Sequence, residues 1–238
     1  MSAADPASGA GATEAAAGTR EREWFGLLLL ALVVVFLVEG IVSEGEAKDT
    51  LITVLVAVAL AIAFRAADMP PRRLRRAVLL IALIVAADVV ARLAGQDQVV
   101  IGFTRLANGM LVALAPPAVV VGLVRGLRRR QAVTIEAVLG ALCLYFLAGL
   151  FFAFLYGAVN ALGGSPFFAT GGSSTSARNV YFSFTTPTTV GYGDFTARSN
   201  LGHTLTNLEM LIGQIYLVTV VSVIVGNLRP RRGASVER

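Results

Sequence analysis

The stretch TTPTTVGYGD, residues 185–194, holds the residues whose spacing could do chemistry with the main chain itself. Gly191 and Gly193 stand at alternate positions around Tyr192. Both can take positive φ without a Cβ penalty. Alternation of that kind turns successive carbonyls to one side, which a strand of ordinary L residues cannot do. Several such strands around an axis stack rings of oxygen, with the Thr189 hydroxyl adding a ring below. Rings of that kind replace the water shell of a dehydrated monovalent cation. A lone Gly-Tyr-Gly would otherwise read as a turn.

The flanking segments must position that strand. RNVYFSFTTP, residues 178–187, has the aromatics and the length of a short helix. NALGGSPFFATGGSSTSA before it reads as a flexible external loop, and a short polar return after it leads into the last apolar run. A short helix, an extended stretch and a return describe a re-entrant loop between two spans. Non-helical backbone is tolerated at membrane depth only where protein buries it or it lines a wet cavity. The short helix aims its C-terminal partial negative charge along the strand axis, which favours a cation there.

On these residues the chain resembles the potassium channels: TVGYG, Thr189–Gly193, is similar to their selectivity filter, and Asp194 extends the match. The likeness runs through outer helix, pore helix, filter and inner helix, about residues 133–228, and is weak to absent over the first four spans. It implies a filter of Thr188, Thr189, Val190, Gly191, Tyr192, Gly193 and Asp194. Potassium, the transported ion, would be held by Thr189, Val190, Gly191 and Tyr192. Tyr181 and Phe182 match the family's aromatic positions around the filter tyrosine, here Tyr192, and Gly213 matches an inner-helix hinge glycine. Two positions depart from the pattern. Thr185 stands behind the filter where some relatives place a carboxylate, and Pro187 in the last helical turn removes an N–H, so that helix should end early or tighten. An apolar narrowing at Val221 and Val225 would close the inner mouth by dewetting.

The composition carries this reading into a membrane. The chain has 238 residues, 56% hydrophobic and 15% charged, with a mean hydropathy of +0.74. A soluble domain carries about a quarter charged residues. Apolar runs at 24–42, 50–66, 76–94, 107–127, 133–161 and 203–228 suggest six spans. The fold expected is an all-α integral membrane protein, with a re-entrant pore helix and filter between helices five and six. Residues 1–20 form a disordered cytoplasmic N-terminus, 21–130 a four-helix bundle like a voltage sensor, 131–229 the pore domain and 230–238 a short tail.

Charge placement sets the orientation. Of the 20 Lys and Arg, Lys48, Arg92, Arg105, Arg178 and Arg198 fall on one side of the six spans and the remainder on the other. The positive-inside rule then puts both termini in the cytoplasm of a cell membrane. The net charge of +5 therefore marks topology and not nucleic-acid binding. PPRRLRR at 70–76 also suits anionic lipid head groups. High Ala, Gly and Arg content with one lysine hints at a prokaryote.

The fourth span, NGMLVALAPPAVVVGLVRGL, has no positive charge between Arg105 and Arg125, and Pro116-Pro117 breaks its middle. One charge crossing 100 mV is worth about 2.3 kcal/mol. With none in the field, voltage independence is expected. Asp88 and Arg92 read as an i, i+4 pair, Glu39 as snorkelling to the interface, His203 as an interfacial cap and Cys143 as packing. One filter strand per chain requires a symmetric assembly to close a ring, and the family resemblance implies a homotetramer with three identical partners. No metal cluster, nucleophile–base pair or phosphate loop suggests an enzyme, and no organic cofactor is implied. A non-conducting subunit that regulates a conducting partner is the alternative.

Overall fold

The computed structural model describes residues 6–67, 98–130, 135–171 and 174–227, with scattered positions between 72 and 90. Its helices are α1 (Pro6–Ile41), α2 (Glu46–Ala66), α3 (Gln98–Arg130), α4 (Ile135–Leu162), α5 (Ser176–Thr185) and α6 (Asn200–Asn227). Among the described residues four stretches are long and apolar enough to cross a membrane: Glu23–Ile41, Ala47–Ala66, Val99–Val124 and Ile135–Leu162. Helix α6 adds 28 residues. Much of the expected span 76–94, including Asp88 and Arg92, lies outside the described residues.

Two helices differ from the sequence expectation. The backbone of α1 is helical from Pro6, not disordered to residue 20. Proline suits the first helical position, where its missing N–H has no helical partner, and the alanines at 10–17 carry the best helix propensity. Helix α3 runs unbroken through Pro116 and Pro117. Their rings cancel the hydrogen bonds to the carbonyls of residues 112 and 113, but neighbouring helices make such a loss tolerable in a membrane. Here Ala115, Ala118 and Val119 around the prolines are buried.

One core joins the first helices to α4. Leu28, Leu32 and Val35 of α1 meet Ile52, Val56 and Leu60 of α2, Leu111 and Ala115 of α3, and Cys143, Leu147, Leu150 and Phe154 of α4. Each set recurs every third or fourth residue, the signature of one helix face. Alanines 59, 63, 66, 67, 115 and 118 are buried in it. Small side chains let helix backbones approach closely where lipid offers no hydrophobic contrast. Helices α1 and α3 thus sit against the chain's own α4, with α2 packed on α1 and α3, and α3 and α4 make the most extensive contact.

A second cluster gathers Phe152 and Tyr156 of α4, Phe167 and Phe168, Phe182 of α5 and Ala197. The segment expected to be a flexible loop therefore supplies two buried rings. It is pinned by the Phe168–Ala197 bridge, with Arg198 N–H donating to Phe167 O at 2.8 Å and Ala169 N–H to Thr196 O at 2.9 Å. Large aromatic area buried by adjacent rings outweighs the loop-like composition around them.

Candidate functional site

Helix α5 is short because both ends are fixed locally. Thr175 caps its start, accepting from Arg178 N–H at 3.3 Å. A second acceptor arrives from afar: Glu44, in the turn between α1 and α2, takes Ser176 N–H at 2.7 Å. A carboxylate there answers the positive end of the helix dipole. Glu44 is itself held by Arg105 at 3.6 Å and Lys48 at 3.4 Å, and Arg105 also donates to Ser174 O at 3.3 Å. Glu39 does not snorkel. It is 5% exposed and ion-paired with buried Lys48 at 3.5 Å, since a charge deep in apolar surroundings needs a counter-charge.

The other end of α5 stops at Thr185, two residues before Pro187. The proline thus lies in the turn that follows and breaks no helical bond. Thr186 N–H donates to Phe182 O and Ser183 O, Thr189 N–H to Thr186 O at 3.0 Å, and Gly191 N–H to Thr185 O at 3.0 Å. That last bond ties the end of the helix to the strand beyond it. Pro187 is buried against α6 at Gly213, where a Cβ would fall 2.4 Å from Pro187 Cβ and 2.9 Å from its Cα. Gly213 supplies space for the turn, and α6 is continuous through it.

The strand, irregular backbone with no β-ladder, shows the alternation its glycines allow. Gly191 has φ 45° and Gly193 φ 79°, and Thr189 joins them at φ 61°. Val190 and Tyr192 between them do not have positive φ. Alternating backbone handedness gathers N–H groups on one side of a strand and carbonyls on the other. Residues 188–194 are all exposed on the single chain, Tyr192 at 72%.

Around the strand, Tyr181 and Tyr192 stack with ring centroids 6.1 Å apart, and Tyr181 meets Phe195 edge-on at 5.8 Å. Phe182 points the other way, against Tyr156 and Phe168, both at 5.4 Å. The structure thus brings Tyr181 to the tyrosine and leaves Phe182 away from it. Asp194 accepts from Phe195 N–H at 3.1 Å. Desolvation and a hydrogen bond to Asp194 hold the Tyr181 phenol above its ordinary range. The Thr185 hydroxyl turns back to Tyr181 O at 2.9 Å, so it is the Thr185 carbonyl that serves the strand. The side chains of Val221 and Val225 lie outside the described residues. His203 Nε2 donates to Ala197 O at 2.7 Å, a backbone-capping role.

Sequence reasoning missed Glu209. This α6 carboxyl is 2% exposed, with Tyr156 Oη donating to its Oε2 at 2.5 Å and Ser183 Oγ 2.5 Å from its Oε1. Ser183 Oγ is also 2.7 Å from Gly149 O. One residue therefore joins α4, α5 and α6. The signal was available, because a lone carboxylate within an apolar run is a functional hypothesis by default.

Residues 140–229 match the family model for ion channels. The match begins on α4, takes in α5, the strand and α6, and covers well under half of the chain. It supports ion conduction as the activity of this part. No curated protein matches the chain. With the four span-capable helices, the match marks a membrane protein.

Proposed function

We propose that the protein is a potassium-selective channel that conducts passively through a pore assembled from four copies. Each copy contributes six spans, with α5 and the strand as a re-entrant loop between the last two. Both termini face the cytoplasm of a prokaryotic cell membrane. The observation that carries this reading is the positive φ at Thr189, Gly191 and Gly193, in an exposed strand bonded to the end of a short helix. Potassium exchanges its water for the carbonyls of Thr189, Val190, Gly191 and Tyr192, with Thr188 below and Gly193 and Asp194 at the outer mouth. Four strands complete what one leaves open, and the exposure of residues 188–194 suits contact with ions and with neighbouring copies. Gly213 and the Val221–Val225 region belong to the helix that lines the inner mouth.

Voltage independence follows from the uncharged fourth span. The basic 70–76 segment anchors the topology on the cytoplasmic side, beside the lipid head groups. The regulatory-subunit alternative rests on Pro187 and on first spans without gating charges; of these, Pro187 lies outside α5, against Gly213.

Liposomes holding the purified chain alone test the proposal. Potassium and rubidium flux should be large, sodium and lithium flux small, and Gly191→Asp should abolish the difference. Equal rubidium and lithium flux, or none, refutes it.

A further inference from the structure

We propose that Glu209 carries a proton at neutral pH and in that form positions α5, and through it the strand, between α4 and α6. The case is a count of hydrogens. Three short oxygen contacts meet at this point: Ser183 Oγ to Gly149 O at 2.7 Å, Ser183 Oγ to Glu209 Oε1 at 2.5 Å, and Tyr156 Oη to Glu209 Oε2 at 2.5 Å. Each needs a hydrogen, because lone pairs facing one another at that range repel. The serine and tyrosine hydroxyls bring one each, and a carbonyl brings none. The third hydrogen is therefore on the carboxyl. Glu209 donates to Ser183, Ser183 donates onward to Gly149 O, and Tyr156 donates to Glu209.

The surroundings agree. Tyr156 and Ser183 are fully buried, and among the described residues no Lys, Arg or His pairs with Glu209. The titratable groups facing it are Tyr145 and Tyr156 from α4 and Tyr216 on α6 itself; α5 presents only Ser183. An ionised carboxylate here would lack a counter-charge, which is costly in so dry a place. Beside it lies a cavity of about 30 Å³ lined by Tyr145, Phe152, Pro187 and Gly213, enough for one water. Loss of the proton leaves one Ser183 contact without a hydrogen. Ser183 lies two residues before Thr185, whose carbonyl holds Gly191, so the disturbance reaches the strand directly.

The effect on the strand rests on the channel reading, whereas the proton does not. Infrared spectra of the full chain in lipid vesicles should show the carbonyl stretch of a protonated acid at neutral pH. It should be absent from Glu209→Gln, shifted in Ser183→Ala and lost from wild type at alkaline pH. Rubidium flux of wild type should fall several-fold over the same alkaline range. Glu209→Gln, which keeps a donor and an acceptor, should conduct within a few-fold of wild type and lack that fall. No such band in wild type at neutral pH, or the same alkaline fall in both proteins, overturns the proposal. A band without any flux upholds the proton and sinks the channel reading instead.

Discussion

Thr189 is where residue type and backbone are most at odds. A β-branched side chain at φ 61° is a genuine outlier, and such strain costs about 1–3 kcal/mol. It persists because the bonds of Thr189 and Gly191 to the end of α5 over-determine the turn. Glycine removes that cost at Gly191 and Gly193. Gly191→Ala, at φ 45°, should lose about 1–2 kcal/mol of backbone preference. It should also lower the rubidium-to-lithium flux ratio by about tenfold. Gly164→Ala is the control, since φ is 67° there and a Cβ meets nothing within 4 Å. It should cost similar thermal stability and leave the flux ratio unchanged. If both variants lower the ratio alike, the alternation at the strand has no special role.

At the scale of elements, α5 is held at both ends by other helices. Glu44→Ala should cost about 0.5–2 kcal/mol, the range for a lost cap. Thermal unfolding in detergent would read it, and the loss should shrink with added salt, because part of it is charge against a helix end. Gly213 poses a sharper alternative. As a hinge it would tolerate alanine in a fixed conformation; as a spacer it cannot, because the added Cβ meets Pro187 backbone at 2.9 Å. Gly213→Ala should therefore destabilise by about 1–3 kcal/mol. Adding Pro187→Ala should not restore it, as the Cα and carbonyl remain in place. Undiminished stability in the Gly213→Ala single variant would favour the hinge. The aromatic contact of Phe36 with Phe184, 4.8 Å between centroids, shows that α1 also steadies α5 from the side.

At the scale of the molecule, two of the surfaces left open on one chain belong to the candidate site. The strand is exposed, and among the described residues α6 buries only a stripe through Gly202, Glu209 and Gly213. Leu211, Ile215 and Val218 stay 57–63% exposed. In a fourfold assembly these surfaces meet neighbours, lipid or the pore. Native mass measurement in mild detergent should give four copies. The conductance–voltage relation in symmetric potassium should be close to flat, since no charge stands between Arg105 and Arg125 to move in the field. A steep curve would defeat the voltage-independent reading. The link from Arg105 through Glu44 to Ser176 gives the bundle a different task, holding α5 by its start.

Much of the candidate site was legible in the residues because its chemistry is local. Two glycines at alternate positions set the backbone of the strand, a run of about ten residues set the short helix, and apolar length set the membrane. Those features depend on neighbours within a few positions, which a sequence displays directly. Burial of Glu39 beside Lys48, the rings of Phe167 and Phe168, the spacer role of Gly213 and the contacts of Glu209 depend on residues far apart in the chain. Only the packed helices bring Tyr156, Ser183 and Glu209 within hydrogen-bond distance, because a partner 26 or 53 residues away leaves no mark on the local pattern. Residue types displayed the alternating backbone of residues 189–193, and tertiary packing decided what holds it still.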